Sequence, residues 1–128
     1  MRFEINGKEY ELKLTYGAIS EINKKYKGGA NEVVSLALLG DLPIFEDSIY
    51  FGLLHTEQGF TKKDIQGALE EAFEKGLISQ EYIKSVLKEV ITDHFFFKKT
   101  AEDMRAEMKA KMLKENPEGS EMFEKMFN

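Results

Sequence analysis

The stretch FEINGKEYELKLTYGAISEINKKY, residues 3–26, changes its hydrophobic period in the middle. Apolar and polar residues alternate on both sides of Asn6-Gly7. Asn-Gly between alternating runs favours a two-residue hairpin turn, because both turn residues need a positive φ. After Thr15 the apolar residues recur at helical intervals instead. The stretch therefore predicts a β-hairpin that leads directly into a helix.

The turn also predicts the register of the two strands. A two-residue turn places Ile5 opposite Lys8, and the pairing continues with Phe3 opposite Tyr10. A two-stranded ribbon is marginal in water, so its apolar face must pack on helices of the chain, or its free edges must pair with a second copy. Since directly opposed residues share a face, the apolar face consists of Met1, Phe3, Ile5, Tyr10, Leu12 and Leu14.

The rest of the chain has the hydrophobic periodicity and the capping residues of helices. Thr15, Asn31 and Ser79 are expected N-caps, and Thr61 with Asp64 resembles a capping box. The helix after Thr61 carries an apolar stripe of Ile65, Leu69, Ala72 and Phe73. We therefore predict a mainly α fold with a short N-terminal β-hairpin (α+β), in which about five helices pack on the hairpin, followed by a charged helical C-terminal extension.

The composition changes after Lys98. Residues 98–128 hold five of the six methionines, among many charged residues. We expect residues 1–97 to form the hairpin plus helical domain. Residues 98–128 are expected to form a charged, Met-rich extension that is helical or partly disordered.

Charge and composition exclude several classes of protein. The net charge of −5 argues against a nucleic-acid-binding surface, which needs a clustered basic face. The chain has no cysteine, so it has neither disulfides nor thiolate metal sites. No apolar run approaches the ~20 residues of a membrane span, and the N-terminus reads as a strand instead of a signal peptide.

The sequence carries no recognisable catalytic or metal-binding pattern. His94 stands beside Asp93, but adjacent residues on a helix do not face each other. His55 has no second histidine at ligand spacing. Phosphate loops, EF-hand loops and nucleophile motifs are missing from the sequence. We predict no catalytic, cofactor-binding or metal-binding residues, and a protein that is not an enzyme.

Two apolar clusters exceed what a small helical core readily buries. The run of three phenylalanines at 95–97 covers more than half of a helix circumference, at about 100° per residue. The methionines recur every four residues in a charged segment. They pack on the domain, or they form an adhesive surface, because Met side chains are flexible and fit varied apolar partners. The candidate partner-binding residues are Phe95, Phe96, Phe97, Met104, Met108, Met112, Met122, Phe123, Met126 and Phe127.

The whole pattern resembles the phage tail assembly chaperones, particularly those of long-tailed phages and prophages of Gram-positive bacteria. The resemblance lies in the hairpin N-G-K-x-Y-x-L (residues 6–12) and the helix G-A-I-S-E-I (residues 17–22). It continues in TKKDIQGALEE (residues 61–71) and covers about the first hundred residues. The charged segment after FFFKKT fits the variable end of that family.

The resemblance implies a function in virion morphogenesis. Such chaperones bind the hydrophobic tape-measure protein, keep it soluble and recruit tail-tube protein, in many cases through a frameshift-extended form. They act in the host cytoplasm and are absent from the mature virion. They self-assemble, so a homo-oligomer is implied here, without nucleic acid or membrane. The alternative function is a small helical adaptor or regulatory protein that binds one folded partner.

Overall fold

The chain opens with the predicted hairpin. The structure is a computed structural model that describes residues 1–115, and its first elements are the antiparallel strands β1 (Arg2–Ile5) and β2 (Lys8–Glu11). Asn6 and Gly7 have φ values of 54° and 75°, as the two-residue turn requires. The predicted register is confirmed, with Ile5 opposite Lys8 and Phe3 opposite Tyr10.

The apolar face of the hairpin lies against the rest of the same chain, which is one of the two alternatives that the sequence leaves open. Tyr10 packs edge to face on Phe60, with 5.3 Å between the ring centroids. Met1 and Tyr10 are partly buried at the margin of the core. The fully buried side chains of this face are Phe3, Ile5, Leu12 and Leu14.

Six α-helices follow among the described residues, and the fold is mainly α, as predicted. A 3-10 turn at Leu54–Thr56 follows the third helix, and a π-helical turn at Lys88–Thr92 continues the fifth. The helices are α1 (Tyr16–Lys25), α2 (Gly29–Leu39), α3 (Leu42–Gly52), α4 (Lys62–Glu74), α5 (Gln80–Leu87) and α6 (Phe95–Glu115).

Three of the predicted helix starts are confirmed. The side-chain oxygens of Thr15 and Ser79 each accept the N–H of the third residue further on, at 3.2 and 3.1 Å. Thr61 and Asp64 form the reciprocal capping box, with donor–acceptor distances of 3.1 and 2.8 Å. These bonds satisfy backbone donors that have no partner inside the helix.

The expected cap at Asn31 is wrong. Helix α2 begins two residues earlier, at Gly29, whose φ of 68° is a conformation that glycine adopts without steric cost. The Gly29 N–H donates to the carbonyl oxygen of Tyr26 at 2.9 Å, so the chain reverses there. Asn31 therefore lies inside the first turn of α2 instead of before it.

Helix α3 lies at the centre of the domain. It packs against α1, α2, α4 and α5. Its residues Ile44, Phe45 and Ile49 are buried, and α6 packs on the far side against α2 and the π-helical turn. The core is therefore assembled around one short apolar helix that begins with Asp41 as cap and Pro43 in its first turn.

Helix α6 runs without a break from residue 97 into residue 98, where the extension was expected to start. Phe97 and Ala101 are both fully buried, and Met104 packs against the same core. The apolar core thus includes the first two turns of α6, and only the later part of this helix extends past it.

Three hydrogen bonds join the end of β2 and the residues after it to the rest of the domain. In two of them a histidine ring bonds to a backbone carbonyl of this segment, and in the third a backbone N–H of the segment donates to α3. The contacts are His55 Nε2 with the Glu11 carbonyl at 2.7 Å, the Lys13 N–H with the Gly52 carbonyl at 2.9 Å, and His94 Nε2 with the Leu14 carbonyl at 2.9 Å.

Candidate functional site

A buried polar cluster joins α1 to α3. Asp47 is only 4% exposed, accepts a hydrogen bond from the Tyr26 hydroxyl, and pairs with the Lys25 ammonium at 2.8 Å. Burial, together with the bond to Asp47, raises the pKa of the Tyr26 hydroxyl, and the bond to Asp47 raises the pKa of Lys25. Both shifts favour the protonated donors, and the two contacts to Asp47 link the end of α1 to α3.

The described part of the chain offers no metal centre and no membrane span. Within residues 1–115, no group of three or more His, Asp or Glu side chains is placed to hold a metal ion. None of the helices in that range has the length and apolar character needed to cross a membrane. The two surface features described next are apolar. One is the set of exposed and half-buried side chains of α6, and the other is a groove between α4 and α5.

The three consecutive phenylalanines have three different environments. Phe95 is 86% exposed, Phe96 is 45% exposed, and Phe97 is 0% exposed. Phe96 and Phe97 are in edge contact, with 5.0 Å between their centroids. Phe97 belongs to the core, so it leaves the set of candidate partner-binding residues, because a partner could reach it only if the core opened.

His94 determines how α6 begins. The Phe96 N–H donates to His94 Nδ1 at 3.1 Å, so Nδ1 is the bare nitrogen and Nε2–H donates to the Leu14 carbonyl oxygen. The imidazole stacks on Phe95 at 4.7 Å between centroids. One side chain therefore caps α6, ties it to the segment after the hairpin, and holds Phe95 outward.

Replacing His94 with alanine is expected to lower the free energy of unfolding by about 1–2 kcal/mol, through loss of the cap and of one further hydrogen bond. Urea unfolding followed by circular dichroism measures this effect. His55→Ala is the control, since it removes a single bond at an exposed site. An effect of His94→Ala no larger than that of His55→Ala would contradict the capping role.

The methionines of α6 continue its buried face. At about 100° per residue, Met104, Met108 and Met112 fall on the same side of the helix as Phe97 and Ala101; we call these three residues the Met stripe. Met104 packs against the core, whereas Met108 and Met112 are half-buried further along the helix. The stripe is therefore an extension of the core-facing side past the end of the core.

The structure does not bring the predicted residues into one patch. Phe95 lies about 160° around the helix from Phe97, on the side opposite the Met stripe. Four further candidates, Met122, Phe123, Met126 and Phe127, lie outside the described residues.

A second apolar surface was missed by the sequence reasoning. Helices α4 and α5 both pack on α3 and leave a groove between them, which we call the α4–α5 groove, with a volume of about 650 Å³. Phe73 belongs to the apolar stripe of α4 in the sequence, yet its ring is 65% exposed. The groove is lined by Gly40, Leu42, Phe45, Glu46, Gln66, Leu69, Glu70, Phe73, Ile78, Gln80 and Ile83.

The fold and its two apolar surfaces are those of a small, mainly helical protein with an N-terminal hairpin. A family model described as phage tail assembly chaperone protein, TAC, matches residues 2–106. The chain belongs to this family, which confirms the resemblance seen in the sequence, and its general role is that of a chaperone in phage tail assembly. No curated protein and no solved structure matches the chain.

One of the two apolar surfaces lies inside the residues matched by the family model, and the other lies partly outside them. Residues 2–106 include the hairpin, the α4–α5 groove and the first half of α6. Met108 and Met112 lie just past the matched region. The distal part of the Met stripe is thus a feature of this chain beyond the segment that defines its membership.

Proposed function

We propose that this chaperone binds the hydrophobic tape-measure protein along the distal part of α6, keeps it soluble, and helps to recruit tail-tube subunits. The observation that carries the proposal is the Met stripe. It continues the core-facing side of α6 past the core, so Met108 and Met112 offer an apolar stripe to a client helix.

The proposed action is that of a holdase and requires no catalysis. Covering an apolar face of the client lowers the population of aggregating species by mass action. Many copies along one long client add avidity, so that each contact can be weak. The net charge of −5 on each copy keeps the coated client in solution.

The proposed contact residues fall into a main and an accessory group. Met108 and Met112 form the main group, with Met104 at its edge because that side chain also packs on the core. Phe95 and Phe96 form an accessory site on another side of α6. The segment beyond the described residues supplies further proposed contacts, Met122, Phe123, Met126 and Phe127.

The setting that we propose follows the family role. The chaperone acts as a homo-oligomer in the host cytoplasm. The host is a Gram-positive bacterium that carries the phage or prophage. It contacts tail-tube protein, in part through a frameshift-extended form, and leaves before the mature virion is complete.

The double substitution Met108→Glu with Met112→Glu is expected to abolish most of the solubilisation of a co-expressed tape-measure protein. Two carboxylates on the stripe would have to be desolvated against an apolar client, which is costly. The measurement is the soluble fraction of the client after co-expression, with wild-type chaperone as reference. Circular dichroism should show an unchanged fold, since neither side chain is buried in the core.

The matched control is Ala106→Glu with Ala110→Glu. Both alanines are exposed on the other side of α6, and the change in net charge is the same. This control should retain the solubilising activity. Equal loss of activity in both double variants would mean that net charge, and not the stripe, governs client binding, and the proposal would fail.

A further inference from the structure

The α4–α5 groove has the dimensions of a seat for a helix. Along α4 the groove is lined from Gln66 to Phe73, which is about two helical turns or roughly 11 Å. Helix α3 forms the floor, where Phe45 and Ile83 of α5 are buried. The lined stretch is therefore long enough for about two turns of an apolar helix.

The rim of the groove exposes large apolar side chains to water. Leu42 at the start of α3 is 59% exposed and Phe73 of α4 is 65% exposed, and both line the groove. Leu69 of α4 also lines it and is partly buried. An amphipathic helix whose apolar stripe enters the groove would cover these side chains, which is the usual arrangement of helix-in-groove recognition.

The charges around the groove select the kind of helix. Glu46 and Glu70 line it, with Gln66 and Gln80, and none of the described lining residues is a lysine or arginine. Glu74 follows Glu70 by one turn of α4. The Lys84 side chain passes near Gly40 at one end, so the acidic part of the lining is the side formed by Glu46 of α3 and Glu70 of α4. Charge complementarity therefore favours an occupant with basic flanks.

Two segments of this chain are possible occupants of the groove. Residues 116–128 carry three glutamates and one lysine, so like charges would meet at the rim. The distal part of α6 is basic, with Lys111 and Lys114 exposed. A second copy that placed this segment in the groove would self-associate, which the sedimentation experiment below detects.

We propose that the α4–α5 groove binds an amphipathic helix with lysine- or arginine-rich flanks from a partner protein, at a site separate from the Met stripe. This proposal does not depend on client binding by α6. It gives the chaperone two surfaces with different chemistry, so two proteins can be held at the same time.

The test uses the full chain and a labelled, designed helical peptide of about fifteen residues. The peptide carries leucines on one stripe and lysines elsewhere, and a second peptide has glutamate in place of every lysine. Fluorescence anisotropy at about 0.1 M salt, where surface charges are partly screened, should show that the lysine peptide binds about tenfold more tightly or better.

Two sets of variants locate the binding. Glu46→Lys with Glu70→Lys should reverse the preference between the peptides, and Phe73→Ser should weaken both. Phe73 is exposed, so its substitution leaves the fold intact even if the variant at Glu46 is impaired. The control is Glu102→Lys with Glu107→Lys, an equal change of charge on exposed positions of α6, which should leave the preference unchanged.

Three results would overturn the proposal. One is no binding of the lysine peptide, and another is binding that the groove variants do not alter. The third is self-association of the wild-type chain, seen by sedimentation and abolished by the groove variants, because the occupant would then be a second copy. A failure of the client assay on α6 would leave these readings unaffected, so the two proposals fail separately.

Discussion

Phe97→Ala is expected to lower the free energy of unfolding by about 3–5 kcal/mol, whereas Phe95→Ala is expected to change it by about 0.5 kcal/mol or less. The two rings are two residues apart in one helix, yet Phe97 is fully buried and Phe95 is 86% exposed. Deleting the buried ring leaves a cavity between α6 and α2. Urea unfolding followed by circular dichroism measures both variants.

The comparison of Phe97→Ala with Phe95→Ala also tests which side chains of α6 pack in the core and which are exposed to a partner. A large loss of stability for Phe95→Ala would place that ring in the core and remove it from the accessory contact site. A small loss for Phe97→Ala would show that α6 is not anchored at this point. Either result would change the proposed position of the client.

Asp47→Ala is expected to lower the free energy of unfolding by about 2–4 kcal/mol. The substitution leaves the buried Tyr26 hydroxyl without its acceptor and removes the partner of Lys25. This loss of stability is expected to be smaller than the largest losses seen for fully buried ion pairs. The Lys25 side chain is 42% exposed, so its ammonium can be solvated when Asp47 is removed. Thermal and urea unfolding give the measurement.

The matched control is Asp103→Ala, which removes the carboxylate of another lysine pair. Asp103 and Lys99 are 2.9 Å apart, much like Asp47 and Lys25, but both side chains are well exposed. An exposed pair of this kind contributes little to stability, so no measurable change is expected. A similar cost for both aspartates would show that burial is not what makes Asp47 important.

The hairpin and the helix starts could be predicted because their causes are local. Asn6-Gly7 determines the turn by its own backbone preference, and Thr61 with Asp64 form bonds across three residues. Asn31 misled the prediction because a preceding glycine at positive φ can begin a helix earlier. Local rules thus gave the order of the elements but not every boundary.

Burial of the candidate residues could not be predicted, because it depends on which helices meet. The period of α4 gives Phe73 the same side as Leu69, but α4 packs on α3 and leaves that ring at the edge of the α4–α5 groove. The phenylalanine run shows the same limit. Helical spacing places its three rings on three sides, and the packing of α6 against α2 and the π-helical turn decides that Phe97 is the buried one.

The double role of His94 was also out of reach of the sequence. Its partner, the Leu14 carbonyl, is 80 residues away in the chain, and no spacing rule relates the two. The observed bonds agree with the simple interpretation of a helix-end histidine. They add that this ring bridges the end of the hairpin segment and the start of α6.

That bridge has a mechanical consequence. The first two turns of α6 are packed in the domain, and the distal half continues from them as the same helix. A load on the distal half is therefore borne by these two turns, where His94 is one of the contacts with the segment after the hairpin.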